Sequence, residues 1–243
     1  MFEAPLDLAL GGVIIFVAYL VRGITGFGSG LIAIPLLTLM YPLTTVVPVV
    51  VCLDVIGSTA QAVANRRNVE WKILLPLFPV TLLGIAFAWF FFRYVDTSTL
   101  SLLLGVFIIF FAVYQVLPAP ALKGGPVMAL PFGVLGGLLG TLFGTGGPAY
   151  VIYFNLRGLS KSEFRASYAV YFVIDGAVRL AVYVLALSLI SAELALLLVC
   201  SLAPFALGLF AGGKVHSDIS PDTFKRLISL VLLLSGVALI LRH

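Results

Sequence analysis

The chain has 243 residues, 62% of them hydrophobic and 10% charged, with a mean hydropathy of +1.20. That composition excludes an ordinary soluble domain. Apolar runs of near-spanning length recur from end to end, which predicts an all-α integral membrane protein with many crossings. The net charge of +4 fits basic loops that set orientation, and no nucleic-acid partner follows from it.

The opening segment, MFEAPLDLAL, carries Glu3 and Asp7 and no basic residue. It lacks the basic start of a cleavable signal peptide and is read as part of the mature protein. The first apolar run covers about 6–40 and contains GITGFGSG at 23–30. Spans are then expected at about 44–64, 73–92 and 97–117. The segment 117–126 (LPAPALKGGP) divides one transmembrane domain (1–243) into repeat one, about 6–117, and repeat two, about 126–241. Repeat two opens with a run at about 126–155 that contains GTLFGTGGP at 140–148, followed by spans at about 165–186, 192–211 and 224–241. Pro76, Pro79 and Pro204 sit inside spans and are expected to kink them.

Hydrophobic runs broken at corresponding places of two halves point to the binding site of a secondary transporter. Glycine-rich backbone cannot face lipid with its amides and carbonyls unsatisfied, so it must line a cavity or pack on protein. Each broken run is too short for two full spans and long for one. Read as single spans, the two runs put the loops at 157–165 and 212–226 outside. Read as re-entrant hairpins with unequal arms, they invert the second half. Arg66, Arg67, Lys72, Lys123, Arg157, Lys161, Arg165, Lys214, Lys225 and Arg226 then share the cytoplasmic side. The other side keeps only Arg93 and Arg242, as the positive-inside rule requires. The expected architecture is therefore two inverted repeats, each a re-entrant helical hairpin plus three transmembrane helices, with both termini on the non-cytoplasmic side. The two tips are expected to meet near the midplane.

Each tip precedes a new short helix, from about Gly30 and about Gly147. The first N–H groups of that helix lack partners and sit at the positive end of its dipole, which favours an anion. The candidate substrate contacts at the first tip are Arg22, Thr25, Gly26, Gly28, Ser29 and Gly30. Those at the second are Thr141, Gly144, Thr145, Gly146 and Gly147, together with Arg179. The competing reading is small-xxx-small helix packing, which Gly136, Gly140 and Gly144 could satisfy. Arg22 either holds the anion or snorkels to the surface.

Ionisable groups at membrane depth mark function by default. Asp175 and Arg179 are four apart and can pair on one helix face; the alternative gives Arg179 to the substrate. Asp54 (LDVIGST) occupies much the same place in its half as Asp175 (IDGAVRL) does in the other. Both are proton-coupling candidates, Asp54 foremost, with a structural hydrogen bond as its alternative. Cys52 and Cys200 lack metal or disulfide spacing and read as packing residues. No cofactor or metal is expected. Gln61, Tyr114, Gln115 and Asn155 are weak pore-lining candidates.

The paired motifs TGFGSGLIAIP (25–35) and GGLLGTLFGTGGP (136–148) resemble the signatures opening each half of the TauE/SafE family of sulfite exporters, also called the toluene-sulfonate uptake permease family. The loop NRRNVEWK (65–72) and the segment GGKVHSDIS (212–220), before Lys225 and Arg226, are similar too. Ser29 stands where many family members carry a third consecutive glycine. The resemblance covers nearly the whole chain. It implies a multi-pass protein of the bacterial inner membrane that transports, and by family exports, a small sulfur-containing or organic anion such as sulfite or a sulfonate. Alternating access around the tips is the expected mechanism. An anion channel of the same architecture is the rival. An intramembrane enzyme lacks support, since neither aspartate has a Gly-x-Gly-Asp context and no HExxH is present.

Overall fold

The structure, a computed structural model, describes residues 5–117, 124–187, 191–214 and 221–242. Lys123, His216 and the 215–220 segment lie outside them, as do the side chains of Lys161, Lys225 and Arg226. Ten helices follow in chain order among the described residues: α1 (Pro5–Thr25), α2 (Ser29–Thr38), α3 (Leu43–Asn65), α4 (Trp71–Tyr94), α5 (Thr97–Val116), α6 (Ala129–Phe143), α7 (Gly147–Leu156), α8 (Lys161–Ala181), α9 (Ala192–Lys214) and α10 (Pro221–Leu241). No strand occurs among these residues. A π turn, Val182–Ala186, extends α8.

The six expected spans match α3, α4, α5, α8, α9 and α10 within a few residues. The start of α8 is the largest offset. Ser160 accepts from the Glu163 N–H while the Glu163 carboxylate accepts from the Ser160 N–H, a capping box that starts the helix four residues before the expected 165. Asp96 caps α5 through Thr99, accepting from its N–H at 2.9 Å and its hydroxyl at 2.6 Å. These bonds hold its carboxyl below the usual range. The cap is thus intact above the ordinary carboxylate pKa and is lost as pH falls through the lowered value. Helices α3, α4 and α9 run on through Pro48, Pro76, Pro79 and Pro204.

Among the described residues seven helices, α1, α3, α4, α5, α6, α8 and α9, are long and apolar enough to cross a membrane, and the fully described part of α10, Ile228–Leu241, is shorter. The ten-residue α2 and α7 are too short to cross. At 1.5 Å per residue each reaches about 15 Å, half of a hydrocarbon layer roughly 30 Å thick. The polarity is that of a protein in lipid. Phe87, Phe90, Phe110, Leu207 and Phe210 are exposed, while Arg22, Asp54, Asp175 and Arg179 are buried.

Contacts divide the chain into two compact units, and each draws on both halves of the sequence. One comprises 1–50, 95–120 and 191–243; the other comprises 51–94 and 121–190. In the first unit α1 packs on α9, α5 on α10, and α2 against α1 and α10. Helices approach closely where glycine removes the side chain. A Cβ on Gly208 or Gly212 would land on the carbonyl of Phe16 or Leu20. In the second unit α6 packs on α4, and α7 lies against α6 and α8. Here Gly84 faces the Val134 carbonyl and Gly137 the Thr81 carbonyl with no room for a Cβ. The arm before each glycine break thus packs on the next-to-last helix of the opposite sequence half.

Candidate functional site

Both broken runs are interrupted where their glycines permit it. After α1, Gly26 (φ 89) and Gly28 (φ 94) take left-handed backbone, and after α6, Gly144 (φ 59) does the same. Such conformations cost an ordinary L residue roughly 1–2 kcal/mol. The second short helix opens Gly147-Pro148. Proline has no N–H, so one of the amides expected to greet an anion is missing there.

At the first break, in the first unit, Arg22 is buried and its Nη1 donates to Ser29 Oγ at 3.1 Å. Its guanidinium lies 6.0 Å from the Tyr19 ring centroid. Arg22 is therefore turned inward, and the snorkelling alternative does not apply. The Thr25 hydroxyl bonds within the turn, to the carbonyls of Val21 (2.9 Å) and Phe27 (2.7 Å). Gly30 is buried in the first turn of α2.

At the second break, in the second unit, the arrangement is denser. Asp175 and Arg179 pair on α8, both buried. The same Arg179 Nη2 also reaches the Gly136 carbonyl (3.4 Å) and the Tyr150 hydroxyl (3.3 Å). A Cβ on Gly140 would fall on the guanidinium, and one on Gly146 would stand 2.9 Å from Nη2. The stripe Gly136–Gly140 thus makes room for a tyrosine ring and an arginine head, not for another helix. Packing against helix backbone belongs to Gly137, about 100° round the helix. Gly147 faces the Tyr168 hydroxyl, 2.9 Å from where a Cβ would be.

Four buried polar atoms in this cluster have no hydrogen-bond partner among the described residues: Thr141 Oγ1, Thr145 Oγ1, Arg179 Nε and Asp175 Oδ1. The four residues are at most 2% exposed. An orphaned buried group costs about 1–3 kcal/mol. Orphaned groups of this kind call for an explanation, and these four all lie beside one glycine break.

Sequence reasoning missed the tyrosines around this cluster. Tyr150 packs edge-on to Tyr171 at 4.8 Å. Tyr171 bonds to Thr81, Tyr153 donates to the Ile73 carbonyl at 3.1 Å, and Tyr183 donates to the Thr141 carbonyl at 2.7 Å. Five of the nine tyrosines in the chain fall at 150, 153, 168, 171 and 183. That concentration was a usable signal.

Asp54 is buried on α3, next to Val55, which meets Gly176 of α8. Cys52 is half-buried. Cys200 is exposed, not packed as expected, because it faces out from α9. Gln115 donates to Ser229 Oγ at 3.2 Å within the first unit. Asn155 and Tyr114 are exposed and Gln61 is half-buried.

Apolar spans with broken helices and buried charge define a polytopic membrane protein with polar groups inside it. More particularly, the chain belongs to the family described as sulfite exporter TauE/SafE, which it matches over residues 11–239. Its members are membrane exporters and not enzymes. The chain is also similar to the probable sulfite/organosulfonate exporter TauE of Cupriavidus necator, with 27% identity over 167 residues. That similarity spans 64% of each protein. No solved structure matches it.

Proposed function

We propose that this protein is a secondary transporter that moves a small sulfur-containing or organic anion, sulfite or a sulfonate, outward across the bacterial inner membrane. The observation that carries this reading is the second break, where Arg179 lies on Gly140 and Gly146 beside the orphaned hydroxyls of Thr141 and Thr145. Buried donors in a low-dielectric interior bind an anion far more strongly than the same donors in water. The first break, with Arg22 on Ser29, is a candidate contact in its own right. The mechanism is alternating access around such a break, between two inverted repeats that each open with a re-entrant hairpin. Export of an anion from a negative interior gains about 2.3 kcal/mol per charge per 100 mV.

Purified protein in liposomes should take up sulfite, thiosulfate or a sulfonate saturably and with counterflow. Fast, unsaturable chloride flux would make it a channel instead. In the same assay Asp54→Asn should abolish the response to an imposed proton gradient while binding persists. An unchanged response would remove Asp54 from coupling.

The inverted topology carries its own test. Single cysteines at Asn68 and Leu159 should both react with impermeant maleimide only from the cytoplasmic side. Labelling of either from outside would sink the arrangement.

A further inference from the structure

Resting on the site assigned above, we infer that the second break selects its substrate in the singly protonated form: an oxyanion with one negative charge and one O–H, which it donates to Asp175 Oδ1. The orphaned atoms at this break are of two kinds. Arg179 Nε is a donor only, and the hydroxyls of Thr141 and Thr145 each have a proton to give. Asp175 Oδ1 is an acceptor only; Arg179 holds its sister oxygen, and the Tyr150 hydroxyl lies within reach of the same carboxylate. A fully deprotonated oxyanion offers lone pairs alone. It would satisfy the three donors and set its own oxygens against the carboxylate. A hydrogen oxyanion satisfies all four, with acceptor oxygens for the donors and an O–H for Oδ1.

Charge leads to the same choice. The buried Asp175–Arg179 pair sums to zero, so it provides no net positive charge to offset a dianion. The cost of burying charge grows with its square, so a dianion costs about four times as much as a monoanion of equal size. The groups around the pair supply no buried positive charge to change that outcome. Tyr150 on α7 faces the pair, and Tyr171 and Tyr183 surround it. From α4 comes the neutral Thr81; from α3 come the apolar Val55, the buried Asp54 beside it and Cys52, which lies near Tyr183; Arg66 and Arg67, in the turn packed against α8, are exposed.

Calorimetric titration of the purified full chain with sulfite, methanesulfonate and sulfate over a pH series tests this. Sulfite affinity should fall about tenfold per pH unit above the second ionisation of the anion, following its protonated fraction. Methanesulfonate has the same charge and no O–H, so it should bind more weakly and without pH dependence. Sulfate should not compete. Asp175→Asn leaves the Arg179 charge in place and should let sulfate bind. If that variant does not fold, the wild-type series decides alone. Flat sulfite affinity, or sulfate binding as tightly as sulfite, would overturn the inference. So would methanesulfonate binding that strengthens at low pH, since the proton would then reside on Asp175 itself. If anions bind without the expected pH pattern and Arg179→Lys still abolishes binding, the site stands and only its protonation preference falls. If none binds at any pH, both fall.

Discussion

Arg179→Gln is expected to abolish anion uptake and to cost about 3–5 kcal/mol of stability. Adding Asp175→Asn to the same chain should restore most of the stability and none of the uptake. The pair is fully buried. Removing the guanidinium alone leaves a carboxylate with no counter-charge inside lipid-embedded protein, and that uncompensated charge, more than the lost contact, sets the cost. Two amides in the same places are neutral and can bond to each other and to Tyr150. The guanidinium that would hold the anion is still gone. Thermal unfolding of wild type, Arg179→Gln and the double variant in detergent, beside liposome uptake, separates the two roles. Uptake recovered in the double variant would remove Arg179 from the site. A single variant as stable as wild type would mean that the pair does not carry the charge balance assigned to it.

Gly212→Leu should leave almost no folded protein, while Gly213→Leu, one position along, should be neutral or slightly stabilising. A Cβ on Gly212 would land on the Leu20 carbonyl and stand 3.0 Å from Gly23 Cα. Those are backbone atoms, which cannot swing aside, so α1 and α9 would have to separate. Overpacking of this kind costs about 1–3 kcal/mol or more. Gly213 is exposed and has nothing within 4 Å of its would-be Cβ. There leucine replaces the poorest non-proline helix former, a gain approaching about 1 kcal/mol. Yield of monodisperse protein and its melting temperature would show the contrast. Equal behaviour of the two variants would discredit the α1–α9 crossing.

Much of the helical layout was legible because its causes are local. Apolar runs of the right length become spans wherever lipid is the solvent. The breaks at 26–28 and 144–146 follow from glycines that can take positive φ. The capping box at Ser160–Glu163 was equally local and went unread. The Asp175–Arg179 pair was legible too, since four residues on a helix bring two side chains together.

Other features depended on partners far away in the chain. The Gly136–Gly140 stripe was visible as a small-residue face, but nothing local says what covers it. Helix backbone, a tyrosine ring and an arginine head all need the same gap. The choice was made by contacts between residues 29 and 43 positions apart, Arg179 with Tyr150 and with Gly136. The inward turn of Arg22 is a nearer case, a contact to Ser29 seven residues on that forms only once the chain has turned at the break.

By itself, then, the sequence determined the membrane class, the spans and the two places where helix must stop, because hydropathy, glycine backbone freedom and i,i+4 spacing act over a few residues. Only the tertiary structure decided which break gathers orphaned donors around an arginine, and that each compact unit is assembled from both halves. Those outcomes come from which helix faces close on each other, and close packing is a property of the assembled chain, not of any segment in it.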